Sequence, residues 1–360
     1  MKKTESTALT DPGVVPTRYW QLLPDSRIQC TVCPRACRLQ EGQRGWCFVR
    51  ARAEDQIVMT SHGRSFGFAI DPIEKKPLYH FFPGSTILSF GTAGCNLACK
   101  FCQNWHMSRS RATDRQMTVA TPTQIAAAAQ KSGCRSLAYT YNDPVVFMEY
   151  AMETAQAGHA LGLHSVAVTA GYMQDAARED FYRHMDGANV DLKAFSERFY
   201  HRFCGAALQP VLETLLYIRQ QTNVWLEITT LLIPGENDSD AELASLTQWV
   251  AEHLGLDTPL HFSAFHPAYR LQDKPRTPLS TLVRARNMAR QNGLRYVYTG
   301  NLRDQEGSTT RCHVCKQPLI IRDGYTLLEM HLTHKGTCTR CHTPCAGRFA
   351  SLSDDGQVKS

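Results

Sequence analysis

One stretch organises the whole chain: Ile87-Leu88-Ser89-Phe90-Gly91-Thr92-Ala93-Gly94-Cys95-Asn96-Leu97-Ala98-Cys99-Lys100-Phe101-Cys102-Gln103-Asn104-Trp105. Its first four residues form a short apolar run that predicts a strand ending at Gly91. Three cysteines follow in the spacing C-x3-C-x2-C, at the C-terminal end of that strand, where α/β barrels place their chemistry. Three thiolates can hold three irons of a 4Fe–4S cluster and leave the fourth open to an outside ligand. A structural zinc wants four closed ligands, and an electron-carrying cluster normally has four cysteines. Three alone imply an open position, and therefore chemistry. Zinc completed by His106 is the bland alternative.

On either side of this loop, short β-branched or apolar runs alternate with longer amphipathic ones. Thr121 followed by Pro122 opens a helix, a capping hydroxyl before proline at the first helical position. Strands are expected at 136–141, 165–169, 188–192, 225–232, 260–265 and 295–298. Helices are expected from Val145 to about 160 and near 208–220, 240–253 and 279–292. Repeated βα units argue an α/β fold with a parallel sheet and helices outside, either barrel or doubly wound. The glycine fingerprints of nucleotide domains, G-x-G-x-x-G and G-x-x-x-x-G-K-[ST], do not occur, which weakens the doubly wound reading.

The chain has 360 residues, 14 cysteines and a formal charge of +6. That length suggests about two domains, and one barrel absorbs most of it. The mild charge alone gives no argument for nucleic acid. No apolar run approaches the roughly 18 residues needed to cross a membrane. Met1-Lys2-Lys3-Thr4-Glu5-Ser6-Thr7 has no apolar stretch behind it, so a cytoplasmic location is expected, where cysteines bind metal or catalyse rather than pair.

Twelve of the 14 cysteines fall into three groups, a metal-ligand distribution. Cys30-x2-Cys33-x3-Cys37-x9-Cys47 offers four ligands and suits either zinc or an auxiliary 4Fe–4S cluster. Cys312-x2-Cys315-x22-Cys338-x2-Cys341 reads as a zinc ribbon that closes a domain end. Cys345 is surplus, and Cys134 and Cys204 read as small buried hydrophobes.

The C-x3-C loop with Phe101 before its third cysteine resembles the signature of the radical S-adenosylmethionine (SAM) superfamily. Within it, the flanks Gly94-Cys95-Asn96 and Cys102-Gln103-Asn104-Trp105 are similar to the AmmeMemoRadiSam-system enzymes, relatives of the pyruvate formate-lyase activating enzymes. So are Tyr139-Thr140-Tyr141-Asn142-Asp143-Pro144, Val190-Asp191-Leu192-Lys193, Thr229-Thr230-Leu231-Leu232-Ile233-Pro234-Gly235 and Phe265-His266-Pro267. The resemblance spans roughly residues 26 to 350.

It implies a partial (β/α) TIM-type barrel at 65–305, after a flexible lead-in at 1–25 and an N-terminal four-cysteine metal module at 26–64. A zinc-ribbon-like module at 306–350 and a tail at 351–360 follow. It implies that Cys95, Cys99 and Cys102 hold a 4Fe–4S cluster, with SAM chelating the open iron. One electron then cleaves SAM to a 5′-deoxyadenosyl radical that abstracts hydrogen from a substrate. Phe101 would pack near the adenine, and Asn142 and Asp143 would face the methionine amino group, Asp143 standing where relatives usually carry Glu. Asp191, Lys193, Thr229 and His266 would also meet SAM. Arg35 stands where relatives tend to carry His.

The implied partners are a flavodoxin or ferredoxin as electron donor and AMMECR1-type and Memo-type proteins. Two alternatives stand beside this reading. One is a glycyl-radical-enzyme activase acting on a partner protein. The other, of a different class, is a zinc-rich nucleic-acid-binding or scaffold protein; it lacks a concentrated Lys/Arg stripe with interleaved aromatics.

Overall fold

Seven strands follow one another through the computed structural model, which describes residues 9–111 and 117–349. They are β1 (Thr86–Gly91), β2 (Ser136–Tyr139), β3 (His164–Thr169), β4 (Gly187–Asp191), β5 (Trp225–Leu232), β6 (Leu260–Ala264) and β7 (Val297–Gly300). Each pairs in parallel with the next in chain order. Parallel neighbours need a crossover, and each crossover carries one helix of eight residues or more. These are α1 (Pro122–Lys131), α2 (Met148–His159), α3 (Asp175–Tyr182), α4 (Gln209–Gln221), α5 (Asp240–Leu254) and α6 (Leu279–Gln291). Helices on the faces leave the strands buried on both sides, which is why β2 is buried at all four positions.

Local chemistry sets the helix starts. Thr121 Oγ1 accepts from Gln124 N at 3.3 Å while Gln124 Oε1 accepts from Thr121 N at 2.9 Å, a reciprocal cap with Pro122 at the first turn. Ser239 caps α5 by accepting from Glu242 N, without the reciprocal bond, and Gly255, at φ 93°, ends that helix. Before α2, Asp143 caps a separate 3-10 turn, Pro144–Phe147, so the helix expected from Val145 begins three residues later.

The sheet continues past β1 into an antiparallel strand, Arg64–Pro72, which in turn pairs with Thr118–Val119. Among the described residues nothing pairs β7 with that far edge, so the sheet stays open. The C-terminal ends of all seven parallel strands nevertheless lead into one cavity wall, which requires the sheet to curl as an incomplete barrel does.

The remaining strands form three small antiparallel sheets. Two lie before the barrel, Val15–Pro16 with Gln56–Met59 and Arg50–Ala53, and Trp20–Leu22 with Ile28–Cys30 and Arg38–Leu39. The expected loose lead-in is corrected over 9–25: Val14, Thr17 and Tyr19 are buried and two of the strands start there. Residues 1–8 and the tail 351–360 lie outside the described residues. The third sheet, Thr310–Arg311, Pro318–Asp323 and Thr326–Met330, carries Cys312 at its start. Its apolar face shares a core with Tyr79 and with Tyr296 and Tyr298 at β7.

Fully buried Arg322 ties that sheet to the barrel. It donates to Tyr79 O at 2.6 Å and Ser308 O at 3.2 Å, with Glu74 Oε1 at 3.5 Å. No described helix is long and apolar enough to cross a membrane.

Candidate active site

The three-cysteine loop is held from several directions. Asn142, just beyond β2, donates to Gly94 O at 2.8 Å and accepts from Thr92 N at 2.9 Å. Gly94 has φ 83°, and a Cβ there would stand 2.1 Å from the carbonyl oxygen of Cys47, so the position requires glycine. On the other side, Ala98 N donates to Cys204 O at 2.7 Å and Lys100 N to Phe203 O at 2.8 Å. Cys204 therefore borders the loop rather than filling a remote core.

Cys95, Cys99 and Cys102 are half-buried and face one cavity. Burial, then the Asp143 charge, push the Cys95 thiol up to about 12. A hydrogen bond with Cys204, then burial, hold Cys99 well above its ordinary value, and burial raises Cys102. All three are neutral thiols at ordinary pH unless a metal displaces their protons.

The geometry of these sulfurs bears on what they can hold. One zinc ion with bonds of about 2.3 Å draws its tetrahedral ligands to roughly 3.8 Å apart. The C-terminal cysteines meet that demand: Cys312 and Cys341 sulfurs lie 3.5 Å apart, Cys315 and Cys338 sulfurs 3.6 Å, and all four within 4.8 Å of one another. Among the described residues no other three His, Cys, Asp or Glu ligands gather so closely. The loop thiols are thus too widely spread for one ion, and exposed His106 does not complete such a set. Thiolates on separate irons of a cluster need that wider spread, so the donor set fits a cluster.

The cavity, about 360 Å³, is walled by these thiols and by strand ends. Phe101 is buried in its wall. Asp143 is buried there too: Oδ1 accepts from Thr169 Oγ1 at 2.8 Å and from Val145 N at 3.1 Å, and Oδ2 from Ala170 N at 3.0 Å. Burial raises its carboxyl against the lowering effect of those bonds. The same side chain thus caps the 3-10 turn and lines the cavity.

Lys193 Nζ lies 2.8 Å from Asp191 Oδ2 just past β4. Burial works to lower the Lys193 ammonium, but the charge of the hydrogen-bonded Asp191 carboxylate offsets it, leaving it charged. Thr229 lines the cavity with a buried hydroxyl oxygen that has no hydrogen-bond partner. Such an orphan costs about 1–3 kcal/mol and marks a place for a ligand's polar group.

His266 is the exception among the expected SAM contacts. β6 stops at Ala264, and the His266 ring meets Asn301 O at 3.2 Å, behind a residue of the cavity wall rather than in it. Its place is taken by residues the sequence did not single out, His261 and Ser263 on β6 and Asn301 after β7. Glu74, Lys75, Tyr79 and Tyr325 also line the cavity. Glu74 stands in a charged run of the sequence, 71–76, yet it is fully buried.

Cys30, Cys33, Cys37 and Cys47 are also brought together, around a small separate pocket behind the loop.

Comparison with known proteins agrees with this geometry. The model of the radical SAM superfamily matches residues 90–247, from the end of β1 into α5. The chain belongs to the radical SAM superfamily, whose members bind SAM and an iron–sulfur cluster. It is 38% identical over 304 residues to an uncharacterized protein of Methanocaldococcus jannaschii, covering 84% of this chain and 90% of that one.

Among solved structures, it is similar to a radical SAM methyltransferase from Sphaerobacter thermophilus, with 15% identity, a TM-score of 0.49 and coverage of 81% and 78%. A domain of a pyruvate-formate lyase-activating enzyme from Bacteroides vulgatus gives 13% identity, a TM-score of 0.42 and coverage of 46% and 99%.

Proposed function

We propose that this chain is an AmmeMemoRadiSam-type enzyme that uses a 4Fe–4S cluster on Cys95, Cys99 and Cys102 to cleave SAM and abstract hydrogen from a substrate. The observation that carries the reading is a set of three half-buried thiols at the end of β1, too far apart for one ion and facing a cavity with polar walls. When bound, the cluster supplies one electron to the SAM sulfonium, giving methionine and a 5′-deoxyadenosyl radical.

The protein's part is placement and exclusion of water. Asp143, already fixed by three donors, presents negative charge to the methionine ammonium. Asp191 neutralises Lys193 within the wall, so its ammonium can meet an anionic or hydroxyl group without an unpaired buried charge. Thr229 gives its free hydroxyl to the ribose, and Phe101 offers an apolar face to the adenine. Asn142 holds the loop rather than the ligand.

In this reading residues 26–64 and 306–350 form metal modules around a partial barrel at 65–305, with zinc on Cys312, Cys315, Cys338 and Cys341. A flavodoxin or ferredoxin supplies the electron in the cytoplasm, and AMMECR1-type and Memo-type proteins act with the enzyme. Anaerobic incubation with SAM, dithionite and deuterated candidate substrates tests the abstraction step. Deuterium in 5′-deoxyadenosine identifies the substrate and its site; 5′-deoxyadenosine that stays unlabelled with a substrate that is consumed overturns it.

A further inference from the structure

Four cysteines surround a pocket that the proposed SAM chemistry does not use. Cys30 ends the strand Ile28–Cys30, Cys33 and Cys37 lie in the turn after it, and Cys47 precedes the strand Arg50–Ala53. Val32, Val145, Val146 and the Trp46 ring give the pocket they line an apolar part, and Arg35, Arg50 and Asn96 also border it.

Their spacing differs from that of the C-terminal four. Those pack sulfur to sulfur at 3.5 and 3.6 Å, as one tetrahedral ion requires. The N-terminal four face a common pocket, yet no three of them gather within 4.8 Å. Two thiolates sharing one iron or one zinc would stand closer. Four thiolates, each on its own iron of a cluster, need no such close approach.

The surroundings suit such a load. Each sulfur is faced by backbone N–H groups: those of Val32 at Cys30, Arg35 at Cys33, Val49 and Arg50 at Cys47, and Trp46 at Cys37 at 3.4 Å. Hydrogen bonds to sulfur are one of the means by which proteins stabilise and tune iron–sulfur clusters. The buried Arg50 guanidinium adds positive charge beside Cys30 and Cys47.

We infer that Cys30, Cys33, Cys37 and Cys47 hold a second cluster, of the 4Fe–4S type, rather than zinc. Its location gives it a partner. The Cys47 carbonyl presses on Gly94 next to Cys95, Asn96 of the loop lines the N-terminal pocket, and Arg35 bonds both Asn96 O and Gly205 O. A cluster here is a second redox centre built against the first.

Metal analysis of the full chain tests this after anaerobic reconstitution with ferrous iron and sulfide. The variant Cys95→Ala/Cys99→Ala/Cys102→Ala is expected to keep about four irons and four sulfides with a 4Fe–4S Mössbauer spectrum. No iron with two zinc ions per chain overturns the inference, and so does a spectrum of two-iron type.

Should the triple variant not fold, Cys33→Ala/Cys37→Ala gives the same decision. It is expected to lose about half the iron of the wild type and keep its C-terminal zinc. Unchanged iron overturns the inference. These counts do not depend on SAM being cleaved, so failure here and failure of the proposed function are told apart.

Discussion

Asn142 and Gly94 are joined by a hydrogen bond of 2.8 Å from side-chain amide to backbone carbonyl, which fixes the chain one residue before Cys95. The same amide group donates to Thr92 Oγ1 at 3.1 Å, and its oxygen accepts from Thr92 N at 2.9 Å. Removing it strands several buried backbone groups. Asn142→Ala is expected to destabilise the protein by about 1–3 kcal/mol and to lower the iron retained after desalting. Urea titration and iron analysis on the same preparation check both.

The unpartnered Thr229 hydroxyl gives a variant with opposite effects on stability and binding. Thr229→Val keeps the shape and removes an oxygen that has no partner in the free protein. Stability is expected to hold or rise slightly, while SAM affinity falls about 2- to 10-fold, the worth of one hydrogen bond. Equilibrium dialysis with SAM and thermal denaturation without it measure the two. A loss of stability with unchanged affinity would assign Thr229 to the fold instead.

How far the sequence could be read follows from how local each signal was. The cysteine loop after β1 and the cap at Thr121 each depend on neighbours within a few residues, and both stand where the residues predict them. The last strand was expected at 295–298 but lies at Val297–Gly300, because Arg295 is drawn out to Asp257 at 2.8 Å. α3 was not anticipated: it is only 8 residues long and mostly charged or small, its core anchors being Ala177, Phe181 and Tyr182. Nothing near Glu74 in the sequence marks it as buried, since its partner, Arg322, lies 248 residues away. Resemblance pointed to His266 alone; His261 carries no motif of its own, and only its place on β6 shows that it faces the cavity.

Arg50 and Glu149 link the N-terminal sheet to α2 through bonds of 2.8 and 2.6 Å. Burial raises the Glu149 carboxyl, but the Arg50 charge and its bonds outweigh that and leave it below its ordinary 4.5. The folded state therefore binds fewer protons there than the unfolded state. The stabilisation is complete above the unfolded value and is lost as pH falls through the folded one. Glu149→Gln leaves the Arg50 charge buried and is expected to cost about 3–5 kcal/mol near neutrality. That difference from the wild type shrinks as the pH is lowered below 4.5. Denaturant midpoints of both proteins across an acid series check it; a gap independent of pH would contradict the ion-pair account.

The four C-terminal sulfurs, all within 4.8 Å of one another, give the account of zinc its own test. Cys338→Ser is expected to lose one zinc per chain and to lower the melting midpoint, because metal affinity at such a site is folding free energy. Iron content should stay as in the wild type. Loss of iron alongside zinc would show that the module does more than close the barrel's open side.

The central claim is that Cys95, Cys99 and Cys102 support SAM cleavage. The most direct measurement is 5′-deoxyadenosine formed per chain from SAM and dithionite under anaerobic conditions, in the wild type and in Cys99→Ala. The account predicts 5′-deoxyadenosine and methionine in equal amounts from the wild type, and neither above background from the variant. A variant that cleaves SAM as well as the wild type, or a reconstituted wild type that cleaves none, would contradict it.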